Sequence, residues 1–513
     1  MDKQKKYNSQ TLEKLLFQRQ FFLGRRFIDV FPSCNRVKIT ESVFLTAHSE
    51  LEITRKVKGK KSITLLGYIL DPNDPESGNS DIIANLIRKL DTCDGFPEQI
   101  DGFGGRWVLV VNDGKRLRLY HDAAGLRQVF YTDPSRFPDI CCASRPSLIA
   151  EVLELTMDGD ALEFMNSSEY RDNRQHWWPG DSSPYNGVRL LLPNHCLDLK
   201  TGQPHRYWPD RNLEKLPLRE AVAESSRIIR GLMQGARHRF PLAIALTAGW
   251  DSRVLLAASR EMRQDIYYFT SVYWDTNIRS ADVTIPFRLL PKLGLTNNTI
   301  EYPERMNKKF QTIYNRNVVT AHDVYGFITQ GLYEHYPQDR VCVKGDVAEI
   351  TKCHYRNPES RKNEITPRRL SLLTKMGTNP YAMQCFERWL SGANRSYNLN
   401  PLDLFCWEQT MGSWVAMIQS ECDIVQESFS PFNCRSLITT MLSVEEKHRR
   451  PPVHKLYKSL ISSLWKEVLS EKINPHRVSK KDYLREGLIR AHLYSFMPGG
   501  LKTLGKKIMG RHN

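Results

Sequence analysis

Two kinds of hydrophobic pattern divide the chain near residue 210. Before that point, short runs of apolar and β-branched residues alternate with turn residues, as in 62–70, 106–112 and 117–120. An Asp-Gly pair at 113–114 separates the last two runs and predicts a hairpin. The first part of the chain is therefore predicted to be an α+β domain built on layered sheets.

After this point the pattern becomes helical. Residues 216–236 carry apolar positions at helical spacing, and from Leu402 onward the chain is predicted to be mainly helical. Short, continuous apolar runs alternate with the helical stretches, and these runs lie at 241–246, 266–270 and 341–343. Runs of this kind are typical of parallel strands covered on both faces. This order predicts a doubly wound parallel α/β domain with a helical C-terminal region.

Composition places the chain among ordinary globular proteins, with 41% hydrophobic and 25% charged residues. No apolar run approaches the roughly 20 residues that cross a bilayer, and no signal-type apolar core follows the first residues. The cysteines are scattered without any Cys-x-x-Cys spacing, so they are predicted to be buried thiols. We expect a cytoplasmic protein without a transmembrane segment.

The net charge of +16 is unevenly distributed. Residues 476–513 contain nine Lys or Arg against Asp482 and Glu486, and they include two short amphipathic segments, 487–497 and 501–509. Such a basic tail can bind an anionic surface or polymer. The alternative is a solvated end or a segment that packs on its own domain, and the sequence leaves both open.

The most informative segment is 245–256, in which a buried strand runs through small and hydroxyl residues directly into a helix. Such a turn presents free backbone N–H groups and a positive helix end to an anion. Gly249 allows close approach, Thr247 and Ser252 can bond phosphate oxygens, and Asp251 can hold magnesium or orient the loop. The segment is predicted to bind phosphate; the alternative is a purely structural turn.

Thr-Ala-Gly-Trp-Asp-Ser at 247–252 resembles the Ser-Gly-Gly-x-Asp-Ser pyrophosphate loop of the asparagine synthetase family, a branch of the ATP pyrophosphatases. Further along, 280–282 is similar to the family's acidic segment, and 344–350 to its Ser-Gly-Glu-Gly-Ala-Asp-Glu loop. The N-terminal half resembles the family's glutaminase domain at 99–108 and 121–131. The resemblance implies an Ntn-hydrolase-like layered-sheet domain followed by an ATP-pyrophosphatase domain.

The implied boundaries are 1–210 and 211–513, and the implied cofactors are ATP and Mg²⁺. The residues implied to bind ATP are Thr247, Ala248, Gly249, Trp250, Asp251, Ser252, Arg253, Gly345 and Asp346. Asp251 and Glu349 would hold the magnesium, while Ile350 replaces the family's final Glu.

The implied catalytic candidates are Glu349, Lys480, Lys481 and Tyr355. A late lysine, Lys480 or Lys481, would steady developing charge, and Tyr355 with an acidic partner would act as base. A solvated basic face for the two lysines and a core position for Tyr355 are the alternatives.

The glutaminase domain is predicted to be inactive. Glutaminases of this family use a cysteine at the mature amino terminus, whereas residue 2 is Asp2 and the first cysteine is Cys34. The family's Asn-Gly oxyanion pair falls on Leu66 and Gly67, so the side-chain donor is missing as well. Glutamine is therefore not expected to supply nitrogen.

The expected function is an ATP-dependent ligase that adenylates a small-molecule or peptide carboxylate and passes the acyl group to an amine or ammonia. β-Lactam synthetases and lasso-peptide cyclases follow a similar logic. Two alternatives stay open: a catalytically silent ATP-binding or scaffold protein, and a ligase acting on a carrier with an anionic surface. The sequence does not indicate the oligomeric state.

Overall fold

The computed structural model describes residues 7–90, 95–173, 177–272, 279–318, 324–355, 365–393 and 396–475. Twelve antiparallel strands of the first half are β1 (Phe21–Gly24), β2 (Cys34–Lys38), β3 (Phe44–His48), β4 (Ile53–Lys58), β5 (Lys61–Leu70), β6 (Gly104–Asn112), β7 (Leu117–His121), β8 (Phe130–Thr132), β9 (Cys142–Ala143), β10 (Val188–Leu190), β11 (His195–Asp198) and β12 (Pro204–Arg206). They form two six-stranded sheets, in the orders β10-β8-β9-β1-β3-β2 and β12-β11-β7-β6-β5-β4. The predicted hairpin is confirmed, since Asn112 of β6 pairs with Leu117 of β7 across the turn.

The helices of this half are α1 (Ser9–Glu13), α2 (Asn79–Lys89), α3 (Phe96–Ile100), α4 (Pro146–Leu153), α5 (Gly159–Asn166) and α6 (Ser168–Arg171). Strand β6 shows how the layers form. Val108 and Val110 point into the apolar core between the two sheets, while Leu109 and Val111 pack against α2 on the opposite face. Side chains that alternate between the faces of a strand therefore bury both faces of the second sheet.

The second half contains five parallel strands: β13 (Leu242–Ala245), β14 (Tyr267–Val272), β15 (Asn298–Glu301), β16 (Val341–Val343) and β17 (Ser428–Phe429). Their order in the sheet is β15-β14-β13-β16-β17. The order reverses between β13 and β16, and the crevice at the carboxyl ends of these two strands is where open α/β sheets bind ligands.

The helices of the second half are α7 (Leu218–Arg239), α8 (Trp250–Ala258), α9 (Ala281–Lys292), α10 (Lys308–Asn317), α11 (Val324–His335), α12 (Pro367–Leu373), α13 (Pro380–Gly392), α14 (Pro401–Phe405), α15 (Ala416–Cys422), α16 (Arg435–Leu442), α17 (Glu446–Arg449) and α18 (Lys455–Trp465). A π-helix, Cys406–Val415, joins α14 to α15. Short 3₁₀ turns lie at Arg260–Met262, Asp346–Lys352 and Lys466–Ser470. The predicted mixed α/β architecture with a parallel sheet is confirmed.

Buried ion pairs connect the two halves. Arg106 of β6 donates to Asp423, with 2.8 Å between Nη2 and Oδ2, and also to Glu427. Arg127 donates to the second oxygen of Glu427 at 2.9 Å. Because these contacts join β6 to the segment before β17, the two halves pack against each other. The domain boundary near residue 210 stays a prediction.

None of the helices in the described ranges is long and apolar enough to span a membrane. The cysteines of these ranges are all free thiols, and each of them except Cys34 is buried. The prediction of buried thiols is therefore confirmed for this part of the chain.

Candidate functional site

The predicted phosphate loop lies at the switch point of the parallel sheet. Strand β13 ends at Ala245, and α8 begins at Trp250 with Gly249 as its N-cap. The hydroxyls of Thr247 and Ser252 lie 3.1 Å apart and close the turn on itself, because Ser252 Oγ accepts from Thr247 N and Thr247 Oγ1 accepts from Gly249 N. The N-cap makes no side-chain hydrogen bond to the first turn of α8. The positive end of this helix is therefore available to an anion.

A carboxylate already binds one amide of the loop. Asp282, in the first turn of α9, accepts a hydrogen bond from Ala248 N at 3.0 Å. The acidic segment 280–282 noted in the sequence thus lies beside the loop, and the contact shows that the loop amide points toward a negatively charged group.

Three charged side chains meet where the loop faces the turn after β16. Lys352 Nζ lies 2.6 Å from Asp251 Oδ2 and also donates to Glu349 Oε1. His354 Nδ1 lies 3.2 Å from the other oxygen of Glu349. Asp251 is in the first turn of α8, whereas Glu349 and Lys352 lie three residues apart in the 3₁₀ turn Asp346–Lys352. The cluster forms because β13 and β16 are neighbours in the sheet.

The pKa values of these groups are strongly shifted. Burial, with Glu349 nearby, raises the pKa of Asp251 above its ordinary range although Lys352 opposes this. Burial also disfavours the charge on Glu349, but His354 and Lys352 outweigh it and lower the pKa of Glu349 to about 2. Burial disfavours the ammonium of Lys352, yet its two carboxylate partners raise its pKa. At neutral pH the cluster therefore contains a lysine cation beside a glutamate anion.

The predicted magnesium pair, Asp251 and Glu349, is bridged by the Lys352 ammonium. The described ranges contain no group of three or more His, Cys, Asp or Glu side chains that could hold a metal ion. Asp251 Oδ1 is nevertheless buried and has no hydrogen-bond partner there. Magnesium in nucleotide sites commonly takes one or two protein carboxylates and completes its shell with phosphates and water. The donor set fits such an ion through Asp251, with Glu349 engaged by Lys352.

The second loop packs closely against the first. A Cβ atom added at Gly345 would lie 2.6 Å from Asp251 Cβ, so only glycine permits this approach. Asp346 accepts a hydrogen bond from Gln419 at 3.2 Å. Ile350, which replaces the family's final Glu, is fully buried in the apolar core. Position 350 therefore faces the core of the domain, and an acidic side chain there would be buried among apolar groups.

Two other predicted residues make their hydrogen bonds to groups outside the cluster. Arg253 donates to the carbonyls of Val468 and Glu471, both at 3.0 Å, and is buried against the end of the described chain. Tyr355 donates or accepts a hydrogen bond with Thr410 at 2.6 Å, and burial raises its pKa. Lys480 and Lys481, like the basic segment 476–513, lie outside the described residues.

Sequence reasoning missed four side chains: Lys352 and His354 within the cluster, and His454 and Tyr457 beside it. Lys352 was detectable as the residue three positions after Glu349 in a helical turn, which places both on one side. The ring of His454 lies 5.3 Å from that of Trp250, and Tyr457 lies beneath Lys352. Burial and the nearby Lys352 lower the pKa of His454 to about 4, so its imidazole is neutral at pH 7. No local signal connects His454 or Tyr457 to a loop so distant in sequence.

The predicted oxyanion pair, Leu66 and Gly67, lies in β5, where Leu66 is fully buried in the apolar core between the two sheets. Gly67 lies in β5 with a positive φ of 90°, and a Cβ added there would lie 2.8 Å from Arg127 Nε. Cys34 is the first residue of β2 and is half-buried. That this half does not hydrolyse glutamine stays a prediction, which rests on the residues that are missing from the sequence.

Comparison with solved structures gives matches of low overall similarity. Glutamine phosphoribosylpyrophosphate amidotransferase from B. subtilis, complexed with ADP and GMP, is 11% identical over 72% of this chain and 76% of its own, with a TM-score of 0.23. The allosteric regulatory enzyme of purine biosynthesis is 10% identical over 73% of this chain and 76% of its own, with a TM-score of 0.24. No protein-family model and no curated protein matches the chain. Similarity at this level does not assign the chain to a family.

Proposed function

We propose that the protein is an ATP-dependent ligase that activates a carboxylate as an acyl-adenylate and passes the acyl group to an amine or ammonia. The observation that supports this most is the meeting of the 247–252 loop with the Asp251–Lys352–Glu349 cluster at the switch point of a parallel sheet. An anion-binding helix end beside a buried cation suits a nucleotide triphosphate.

In this proposal the substrate carboxylate attacks the α-phosphorus, and the bond to diphosphate breaks. The amides at the start of α8 bind the phosphate oxygens, and the Lys352 ammonium neutralises the charge that develops on the leaving diphosphate. Magnesium, when bound through Asp251, would add further positive charge to the same oxygens. Glu349 holds Lys352 in place and stays ionised, because its pKa is about 2.

The second step needs a proton acceptor, because the attacking amine loses a proton as the bond to AMP breaks. Ile350 leaves no carboxylate at its position. His354 is exposed beside the cluster, and its Nδ1 is bound to Glu349. A histidine whose Nδ1–H is held by a carboxylate presents Nε2 as an acceptor, which makes His354 our candidate for this step.

The test measures nucleotide binding and adenylation separately. Isothermal titration with MgATP needs no knowledge of the acid, and ATP–diphosphate exchange is then measured with a pool of small carboxylates extracted from cells. Lys352→Met should reduce exchange by about 10²-fold or more, as does the loss of one preorganised charge-stabilising donor in other enzymes. Lys458→Met, on the exposed side of α18, is the matched control and should leave both measurements unchanged. A wild-type protein that does not bind MgATP refutes the proposal.

A catalytically silent ATP-binding protein is the second candidate. The closed ion cluster favours it, since Lys352 already pairs with both carboxylates. Such a protein would bind MgATP but show no exchange with any carboxylate in the pool. His354→Gln helps to separate the two, because an active ligase would still exchange diphosphate while forming little amide.

The predicted partners of the basic segment 476–513 are also part of the proposal. An anionic carrier would bind more weakly as salt rises, because binding to a polyanion releases counterions. We expect vesicle or polymer binding to fall when residues 498–513 are removed, with adenylation intact.

A further inference from the structure

A small cavity lies between the first antiparallel sheet and the helical part of the second half. Its walls come from both halves: Phe130, Trp178 and Leu190 on one side, Asn317 and Met417 on the other. Its volume is about 30 Å³, which is room for on the order of two water-sized groups. The cavity lies apart from the Lys352 cluster, and none of the residues assigned to that cluster lines it.

An arginine with unused hydrogen-bonding capacity lines this cavity. Arg145 is 3% exposed, and its Nε and Nη2 atoms have no hydrogen-bond partner in the part of the chain that the structure describes. Leaving a buried guanidinium without partners is costly, because the charge has lost its water. Within the described residues, these two nitrogens therefore lack an acceptor.

Neither nearby carboxylate is hydrogen-bonded to Arg145 Nε or Nη2 in the described part of the chain. Asp423 is bound by two nitrogens of Arg106, and Glu421 accepts the hydroxyl of Tyr314 at 2.7 Å. Burial raises the pKa of Glu421 to about 7, although Arg145 and Tyr314 oppose this, so Glu421 is only partly ionised at neutral pH. Glu421 Oε1 is itself buried without a hydrogen-bond partner among the described residues, so direct pairing of Arg145 with Glu421 is the competing arrangement.

A helix end adds a second attraction for an anion. Helix α4 begins directly after Arg145, and its first turn has neither a side-chain cap nor an acidic residue. Pro146 and Ser147 of this turn line the same cavity, and Ser147 Oγ has no hydrogen-bond partner among the described residues. Backbone amides and the helix dipole favour negative charge at such an end.

We propose that this cavity binds a small monovalent anion, of the size of chloride or formate, between the Arg145 guanidinium and the amino end of α4. The anion would accept hydrogen bonds from Arg145 and Ser147. Because the cavity walls come from both halves, the bound anion would also hold the two halves together.

Crystals of the full chain grown or soaked in bromide test this directly. The expected result is an anomalous peak within contact distance of Arg145 Nε and Nη2, and its disappearance when the crystals are back-soaked in formate would show that both anions share the site. A cavity that contains only water, or an Arg145 side chain paired directly with Glu421, would overturn the proposal. This measurement uses the wild-type protein and does not depend on a variant that folds.

A solution experiment provides the variant test. Replacing gluconate by chloride at constant ionic strength should raise the Tm of the wild type by on the order of 1–2 °C, because the anion binds the folded state alone. Arg145→Gln should lose this shift. Arg189→Gln is the matched control, because Arg189 of β10 is paired with Asp133 and Asp181. This variant should keep the chloride-dependent rise in Tm. Equal chloride shifts in wild type and Arg145→Gln would also overturn the proposal.

Discussion

Replacing Asp423 with Asn should lower the free energy of unfolding by about 3–5 kcal/mol, the usual cost of breaking a buried ion pair from one side. Asp423 and Arg106 are 3% and 1% exposed, and Arg106 binds Asp423 through both terminal nitrogens. The amide keeps the shape of the side chain but removes its charge. Arg106 would then depend on Glu427, which Arg127 already binds.

Differential scanning calorimetry converts this cost into a temperature. Unfolding entropy of roughly 2.1 cal/mol/K per residue gives a chain of this length about 1.1 kcal/mol/K, so Tm should fall by about 3–5 °C if the chain unfolds as one unit. Asp29→Asn is the control, because Asp29 pairs with Arg36 on the surface with its side chain 88% exposed. Its Tm should change by less than about 1 °C. Equal decreases in Tm for the two variants would refute the argument that burial makes the Arg106–Asp423 pair contribute more to stability than a surface pair.

Three further outcomes are expected. Burial disfavours the charge of Glu427, but its arginine partners outweigh burial and lower its pKa to about 2. Because this pKa is below the ordinary 4.5, the ionised Glu427 stabilises the folded state above about pH 4.5, and this stabilisation is lost as the pH falls toward 2. A plot of Tm against pH should therefore be flatter in this range for Glu427→Gln than for the wild type. Gly345→Val should push Asp251 away and weaken MgATP binding, whereas Gly392→Ala, where an added Cβ meets nothing within 4 Å, should not. Purified protein given glutamine should release no glutamate above background by enzymatic assay, and release that depends on Cys34 would contradict the inactive glutaminase half.

Regular elements were predictable wherever the pattern is long and periodic. The run at 62–70 became β5 (Lys61–Leu70), and the amphipathic stretch at 216–236 became α7 (Leu218–Arg239). The two-residue strands β9 and β17 were not predictable, because two residues carry no periodicity and pair only through tertiary contacts. The π-helix at Cys406–Val415 has a helical pattern, but nothing in that pattern distinguishes its hydrogen bonding from an ordinary helix.

The candidate site was predictable one loop at a time. The residues of each loop could be read from local sequence, but the Lys352 bridge depends on β13 and β16 being adjacent, which is a property of strand order. The orientation of the Arg253 side chain could not be predicted from local sequence. Arg253 directly follows the loop, yet its guanidinium donates to carbonyls at 468–472, which are far away in sequence.

Hydrogen bonds from Arg253 to the carbonyls of residues 468–472 hold the end of the described chain beside α8. Asn474 N donates to Ala248 O at 2.9 Å, so residue 474 contacts the predicted phosphate loop. Lys480 is six residues further on, and at about 3.5 Å per residue it can reach no more than about 21 Å from Asn474. The covalent length of the chain alone therefore limits how far Lys480 can lie from the residue that contacts the predicted phosphate loop.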